Sequence, residues 1–363
     1  MIKQIEPIIN QQELQQLTET IRSTIISSGP KTVEFEKKVA KLLGVKYTVA
    51  VPNGTLAISI ACLALNIGVG DEVIIPDLTM AGTANGVILA GGKPVFCDIK
   101  ETDLTVDPGN IIKLINSKTK AIMPVHLNGR AADMPNLMNI AQKYKLFVIE
   151  DAAQAFASKL DTKFLGTIGD IGCFSFSVPK IITTGQGGMV VTNNQKYYQR
   201  ILKIIDHGRR QKGIDIHDEI GFNFKFTDLA AAVGLAQLKR LKRHVLKKLR
   251  LLNLYQKYLQ NNSYIKFIRD NQIGFVPWFI DIRVNNRTKL IKHLKKVGIE
   301  TRPMYPPLHI QKAYTSLVSK TDKFPVTQKL AGDILWLPSS VTLSEKEVKF
   351  ICSKIKDFYE TSK

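Results

Sequence analysis

Cysteine is scarce in this sequence, and no two cysteines form a CxxC pair. The four residues are scattered along the chain at Cys62, Cys97, Cys173 and Cys352. Such spacing offers no framework for structural zinc or for redox chemistry, and it is typical of a reducing compartment. We therefore expect a cytoplasmic protein with buried free thiols and no bound metal.

Long apolar runs are also missing. No stretch approaches the length needed to span a bilayer, and the N-terminus, MIKQIEPIINQQELQQL, lacks the apolar core of a signal peptide. With 15 prolines and 44% hydrophobic residues among 363, the composition argues against disorder. We expect a soluble protein without a membrane partner, divided into one large and one smaller domain.

Acidic residues are also few relative to basic ones. The sequence has 31 aspartates and glutamates and 51 lysines and arginines, which gives a net charge of +20. A basic surface attracts phosphate, so a nucleic-acid binder has to be considered. The densest basic stretch is Lys239 to Arg250, where leucines recur at three- and four-residue steps. This spacing predicts an amphipathic helix with a solvated basic side. No nucleic-acid-binding motif accompanies it, and we expect no such partner.

Alternating strand and helix patterns fill the first half of the chain. This alternation predicts an α/β fold with a mainly parallel sheet covered on both faces. Ligands of such sheets gather beyond the carboxyl ends of the strands, so the residues there are the candidates for a site. The predicted strands of this half are Tyr47–Val51, Glu72–Ile75, Pro94–Ile99, Ala121–Val125 and Phe147–Glu150, and a further strand is predicted in the C-terminal part at Trp278–Ile282.

Lys180 lies between two predicted core strands, Gly172–Ser177 and Gly188–Thr192. The preceding Pro179 and the following glycines indicate a constrained loop. A lysine amine with a lowered pKa can condense with an aldehyde such as that of pyridoxal phosphate (PLP). The alternative is an ordinary loop lysine that reaches water.

Gly54, Thr55 and Ser175 are candidates for binding a phosphate group. Asn53-Gly54-Thr55 follows a strand and opens a helix, where free backbone amides and a hydroxyl can hold an anion. Thr55 could instead be only the helix N-cap. Ser175 lies on the strand that leads to Lys180, and its hydroxyl could hold phosphate or satisfy a backbone group.

Asp151 and Gln154 follow the apolar strand that ends near residue 150. A carboxylate there needs a cationic partner to stay ionised, and a protonated pyridine nitrogen is one such partner. Gln154 could reach the hydroxyl of the same ring. The alternatives are a helix N-cap for Asp151 and a surface amide for Gln154.

Seven motifs, in order between Ser27 and Pro338, resemble the DegT-like PLP-dependent sugar-nucleotide aminotransferases of fold type I. The resemblance implies a homodimer with shared active sites, in which residues 1–245 form a large PLP domain and residues 246–363 a smaller α+β domain. The motifs are VPNGT, GDEVIIP, PVFCDI, VHLNG, VIEDAAQA, GTIGDIGCFSFSVPKIITTGQGGMVVT and GFNFKFTDLAAAVGLAQL.

The resemblance also assigns roles. It implies that Lys180 is the Schiff-base lysine and that Asp151 is the partner of the pyridine nitrogen. The residues implied to contact the rest of the cofactor are Gln154 at the ring hydroxyl, Gly54, Thr55 and Ser175 at the phosphate, and Asn223 at the phosphate from the neighbouring subunit.

The chain departs from the family pattern at three positions. Met80 stands where an aromatic residue often stacks on the cofactor, and a thioether can also pack against a ring. Gln186 replaces a common glutamate. Lys225 replaces a common arginine, so it keeps the charge of a substrate-binding residue without the planar fork.

Two polar segments follow the sheet. Asp215-Ile216-His217-Asp218-Glu219 could suggest a metal site, but a flexible loop near the substrate entrance fits better because no second ligand set is present. The loop from Met304 to His309 could be a packed proline-rich turn. In similar enzymes it lies near the sugar, which implies that Tyr305 and His309 bind substrate.

The resemblance further implies the reaction. Related sugar dehydratases carry histidine in place of the lysine, and this chain keeps Lys180, which favours transamination. We expect L-glutamate as donor and a nucleotide-linked 4-keto-6-deoxyhexose as acceptor, in amino-sugar biosynthesis for polysaccharides such as O-antigen. The alternatives are a 3-keto sugar aminotransferase, a PLP-dependent sugar dehydratase and a regulatory protein on the same scaffold.

Overall fold

The computed structural model describes residues 1–211, 213–260, 262–268, 273–319 and 321–360. Its main sheet has seven strands in the order β1-β9-β8-β5-β4-β2-β3, and only β9 runs against its neighbours. The strands are β1 Tyr47–Val51, β2 Glu72–Pro76, β3 Lys93–Cys97, β4 Thr119–Ile122, β5 Phe147–Asp151, β8 Ile171–Ser175 and β9 Gly188–Thr192. The predicted mainly parallel α/β sheet is therefore confirmed. A two-stranded hairpin, β6 Lys159–Leu160 and β7 Lys163–Phe164, lies apart from it.

Helices pack on both faces of this sheet, because most of its strand residues are buried rather than alternately buried and exposed. All residues of β2, β8 and β9 are buried. The helices are α1 Gln11–Arg22, α2 Pro30–Leu43, α3 Gly54–Ala64, α4 Ala81–Leu89, α5 Pro108–Leu114, α6 Met134–Tyr144, α7 Gln195–Ile205, α8 Asp228–Leu238 and α9 Leu241–Leu259.

A second, antiparallel sheet of four strands has the order β10-β11-β13-β12. The elements of this part are β10 Ile265–Phe267, β11 Ile280–Val284, α10 Arg287–Lys296, β12 Arg302–Pro303, α11 Pro325–Leu330, β13 Ile334–Leu337 and α12 Glu345–Glu360. Short 3-10 turns cover Leu127–Gly129, Leu308–Ile310 and Lys312–Leu317. The predicted domain boundary after residue 245 falls within α9, and the division into two domains stays a prediction.

Two sequence expectations are wrong in detail. The strand predicted at Trp278–Ile282 begins only at Ile280, because the Trp278 backbone bonds to Asn128 and to the Lys248 side chain rather than to a neighbouring strand. The basic side chains of the amphipathic helix are also not all solvated. Lys248 is 2% exposed, since its amine donates to the carbonyls of Trp278 and Ser339, both at 2.6 Å.

A buried ion pair joins the two sheets. Arg130, in the turn after β4, binds Asp281 on β11 through two parallel bonds of 3.0 and 2.6 Å. Both side chains are nearly excluded from water. This planar, two-point contact fixes the second sheet against the carboxyl edge of the main sheet, where the cavity described below opens.

The four cysteines are buried and free, as expected. Among the described residues, none of the helices is both long enough and apolar enough to span a membrane.

Candidate active site

A cavity of about 570 Å³ opens where the carboxyl ends of β1, β2, β5 and β8 meet. Its wall contains every predicted cofactor residue except Asn223. These residues are Gly54, Thr55, Met80, Asp151, Gln154, Ser175 and Lys180. Residues from positions 54 to 180 thus meet at one edge of the sheet, because parallel strands end on the same side.

Lys180 follows β8 on a tight turn in which its N–H donates to the Ser177 carbonyl at 3.0 Å. Its amine lies 3.8 Å from the centre of the Trp278 indole ring, inside the cavity rather than on the outer surface. Desolvation lowers the pKa of Lys180 to about 7, while the Asp151 carboxylate raises it and Arg302 lowers it further. An amine with this pKa can exist in both charge states near neutral pH.

Asp151 is the last residue of β5, and its carboxyl group is buried. The carboxylate accepts hydrogen bonds from Thr83 Oγ1 at 2.8 Å and from the Ala153 N–H at 3.1 Å. Burial raises the pKa of Asp151, and the two hydrogen bonds and the Lys180 amine partly oppose this. The alternative role as a helix N-cap is wrong, because residues 152–158 are turns and irregular backbone and no helix begins there.

Gln154 is buried rather than a surface amide. Its side-chain oxygen accepts from the Asn128 N–H at 2.8 Å. Asn128 also bonds to both backbone groups of Phe279, each at 2.7 Å. With its oxygen held, Gln154 has its amide nitrogen left to donate at the cavity.

The start of α3 forms the part of the wall suited to phosphate. Asn53 is the N-cap, since its side chain accepts from the Leu56 N–H at 2.9 Å, so the alternative that Thr55 is the cap is wrong. A Cβ on Gly54 would lie 2.9 Å from the Cβ of Ser175. Glycine is therefore required for the helix to approach β8 this closely. The Ser175 hydroxyl lies 3.4 Å from the Ser177 hydroxyl and N–H, both long contacts.

Met80 lies at the rim and is 47% exposed. Its sulfur accepts from the Gly82 N–H at 2.8 Å and thereby caps α4. This contact holds the thioether at the cavity, where it can pack against a flat ligand.

Sequence reasoning missed several residues of the cavity wall. Arg302 lies on β12 of the second sheet, Trp278 lies two residues before β11, and Thr83 comes from the first turn of α4. Thr83 could have been found, because it follows the end of β2 closely. Arg302 and Trp278 gave no signal, since their contact with the site depends on the packing of distant segments.

Tyr305 lines the cavity, with its ring edge-on to Trp336 at 4.9 Å, and its role in substrate binding stays a prediction. Desolvation raises the pKa of its hydroxyl. His309 lies outside the cavity wall. Its Nδ1 is 2.6 Å from the Asp77 carboxylate, and its ring stacks on Phe324 at 4.5 Å.

Asn223 and Lys225 also lie outside this wall. Asn223 is exposed, and the Lys225 amine donates to Asp206 at 2.7 Å. Lys225 lines a separate open groove of about 440 Å³, and Gln186 lines both this groove and the cavity. The groove and the cavity are thus neighbours on one surface.

The acidic residues of the segment 215–219 pair with basic side chains. Asp215 binds Arg209, and Asp218 binds both Lys203 and Arg210. Among the residues that the structure describes, no group of three or more His, Cys, Asp or Glu side chains is placed to hold a metal ion.

A mainly parallel sheet with a lysine and a carboxylate meeting at its carboxyl edge is the arrangement expected of an aminotransferase of fold type I. The chain belongs to the DegT/DnrJ/EryC1/StrS aminotransferase family, whose sequence pattern matches residues 7–356.

The relatives of this chain include proteins named GDP-perosamine synthase. The protein from Escherichia coli O157:H7 is 38% identical over 98% of this chain and 97% of its own length. The protein from Caulobacter vibrioides is 36% identical, with 94% of each chain covered. A solved Streptococcus pneumoniae protein, described as a PMP-form, matches with a TM-score of 0.94 and 26% identity over 99% of this chain and 100% of that one.

Proposed function

We propose that this protein uses PLP to transfer an amino group from L-glutamate to the C4 keto group of a nucleotide-linked 4-keto-6-deoxyhexose. The observation that carries the proposal is the lysine of lowered pKa that shares one cavity with a buried carboxylate, in a chain of the aminotransferase family. The cofactor, when bound, supplies an aromatic electron sink that stabilises negative charge on the substrate carbon.

The cavity wall fits such a cofactor in three places. Gly54, Thr55 and Ser175 offer backbone N–H groups at a helix start and two hydroxyls, which suit a phosphate. Gln154 offers a donor for a ring hydroxyl, because its oxygen is already bonded to Asn128. Met80 would lie against the ring, where its flexible thioether adapts to a flat face.

Asp151 would hold a protonated ring nitrogen. Burial makes its charged form costly, as the raised pKa indicates, and a cationic partner removes much of that penalty. The Thr83 hydroxyl and the Ala153 N–H fix the orientation of the carboxylate. We propose that Asp151 stays ionised in the complete site and thereby keeps the ring nitrogen protonated.

Lys180 would bind the cofactor aldehyde and then move protons at its Nζ atom. Its pKa of about 7 lets the same nitrogen act as base and as acid at neutral pH. The turn of residues 177–180 holds the lysine backbone and thereby fixes the point from which the side chain reaches into the cavity.

Arg302 is a positively charged residue of the cavity wall and has no carboxylate partner among the described residues. Its guanidinium lies 5.8 Å from the centre of the Tyr305 ring. A substrate with a carboxylate or a diphosphate would supply the missing negative charge. We propose that Arg302 binds this anion and that Tyr305 orients the guanidinium while contacting the sugar. His309 would contribute to sugar binding indirectly, because its bond to Asp77 anchors the loop that also carries Tyr305.

We further propose a homodimer in which Asn223 and Lys225 serve the site of the second copy. The groove that contains Lys225 adjoins the cavity at Gln186, so a second chain seated there would bring its own residues to the cavity. We place the enzyme in the cytoplasm, in amino-sugar biosynthesis for polysaccharides. The names of the two relatives support a GDP-linked substrate.

The test is a panel of GDP-, UDP- and dTDP-linked keto sugars incubated with the holoenzyme and L-glutamate. We expect a product with nitrogen at C4 and an equivalent amount of 2-oxoglutarate, scored by mass and by NMR. Nitrogen at C3 would favour the 3-keto alternative, and a deoxygenated keto sugar without nitrogen would favour a dehydratase. Cofactor binding without any half-reaction would contradict the proposal and favour a regulatory protein.

A further inference from the structure

Trp278 contacts the lysine-bearing turn at two points. The Lys180 amine lies 3.8 Å from the centre of the indole ring. The indole Nε1–H donates to the carbonyl of Pro179 at 2.7 Å. One side chain therefore touches both the amine and the peptide that precedes the lysine.

Trp278 is itself held on several sides. Its N–H donates to the Asn128 carbonyl at 3.2 Å, and its carbonyl accepts from the Lys248 amine at 2.6 Å. Its ring stacks on Phe279 with centres 4.0 Å apart. Only 4% of the residue is exposed. The indole is thus a fixed surface to which a mobile lysine can return.

We propose that Trp278 is a positioning residue for Lys180, whose indole face is the resting place of the amine whenever that amine is free. The proposal rests on the proposed function, in which Lys180 must leave and regain the same position in each turnover. A lysine side chain has many rotamers, and a fixed aromatic face favours those that bring the ammonium onto it.

The indole also affects the charge of the amine. Desolvation lowers the pKa of Lys180, whereas attraction between the ring face and an ammonium favours the protonated form. Trp278 therefore opposes the effect of burial and keeps the protonated form of the amine accessible near neutral pH. Other titratable or charged groups lie near Lys180. Asp151, Arg302 and Tyr305 line the cavity described above, and Glu6, His244 and Lys248 line a second, much smaller cavity of about 20 Å³ that Lys180 also borders.

The chain offers a direct probe, because it has two tryptophans, Trp278 and Trp336. In full-length, cofactor-free Trp336→Phe protein, all tryptophan emission comes from Trp278. We expect that emission to titrate with a midpoint near neutral pH, and the transition to vanish when Lys180→Met is added. Since the other groups remain in the double variant, the lost component belongs to Lys180. A titration that is identical with and without the lysine would overturn the proposal.

Competitive labelling of Lys180 with an amine reagent, followed by peptide mass spectrometry, measures its pKa in variants of Trp278. Trp278→Leu removes the ring and should lower the pKa of Lys180 by about 0.4 to 1.5 units. Trp278→Phe keeps a ring face but loses the bond to Pro179, so its shift should be smaller. The matched control is Trp336→Phe, because the Trp336 indole nitrogen has no partner among the described residues. It should leave the pKa unchanged.

A folded Trp278→Leu protein with the wild-type pKa at Lys180 would contradict the proposal. If that variant does not fold, the emission titration still decides, because it leaves Trp278 intact. Failure of the proposed function is separate. A protein that titrates as described but transaminates no sugar would refute the function alone, and an active enzyme without the titration would refute only the role of Trp278.

Discussion

Thr83 donates its hydroxyl proton to the buried Asp151 carboxylate at 2.8 Å. The Thr79 hydroxyl lies 2.8 Å from that of Thr83. A hydroxyl has one proton, so Thr79 must be the donor in this second contact. The two hydrogen bonds therefore run in one direction, from Thr79 to Thr83 and from Thr83 to Asp151, and they stabilise the negative charge of the carboxylate.

Thr83→Val should raise the pKa of Asp151, because it removes a hydrogen bond that favours the charged form. A bond to a charged group contributes about 1.5–3 kcal/mol, which corresponds to about 1 to 2 pH units. If catalysis needs the ionised carboxylate, activity on the acidic side is lost at a higher pH. The profile of kcat/KM against pH should move accordingly.

The matched control is Thr79→Val, which leaves the bond between Thr83 and Asp151 in place. Its acidic limb should move less than that of Thr83→Val. Equal profiles for the wild type and Thr83→Val would show that the hydroxyl does not tune the carboxylate.

Lys180→Ala should abolish both transamination and the covalent retention of PLP. Borohydride reduction of the wild-type holoenzyme should add the mass of one phosphopyridoxyl group to the peptide that contains Lys180, since among the described residues this is the lysine whose amine lies in the cavity. Intact-protein and peptide mass spectrometry measure this. Lys196→Ala, at an exposed lysine of α7, is the control and should behave as wild type. A reducible adduct on the Lys180→Ala protein would refute the assignment.

Arg302→Gln should weaken the binding of an anionic substrate without disturbing the cofactor. Loss of one charge-assisted contact predicts a fall of about 10- to 100-fold in kcat/KM, mostly through KM. Steady-state kinetics with each substrate varied in turn will show which one depends on Arg302. Arg283→Gln changes an arginine that already pairs with Glu101 and Asp333, and it should have little effect. An unchanged KM for both substrates would exclude Arg302 from anion binding.

The sequence predicted the main sheet well because its strands are apolar runs bounded by glycine, proline and polar residues. Lys180 and Asp151 could be found for the same reason, since each follows such a run directly. Arg302 and Trp278 could not, because they reach the cavity only when the second sheet docks on the first. Arg130 and Asp281, which fix that docking, are 151 positions apart.

Lys248 illustrates a different limit. Within a basic amphipathic helix, a lysine at its position is expected to be solvated. Its burial depends on two backbone carbonyls, of Trp278 and Ser339, that meet it only in the folded chain. Desolvation lowers its pKa to about 7, as it does for Lys180, so a lowered pKa alone does not identify a catalytic lysine. Position at the cavity distinguishes the two.

The proposed dimer makes a quantitative prediction for mixed variants. Lys180→Ala removes a group from one site, and Asn223→Ala would remove a group that the same chain lends to the other site. Each variant alone should be impaired. After the two are mixed under conditions that exchange subunits, about half of the dimers are hybrids, each with one complete site, so activity should recover to about a quarter of the wild-type value.

The control for this experiment is a mixture in which one partner is the double variant Lys180→Ala/Asn223→Ala. A hybrid that contains the double variant has no complete site with either single variant, so no recovery is expected. If Asn223 instead served its own chain, a hybrid would never contain a complete site, and mixing the single variants would also give no recovery. Because Asn223 is exposed on the chain and lies outside the cavity wall, recovery is the outcome that we expect.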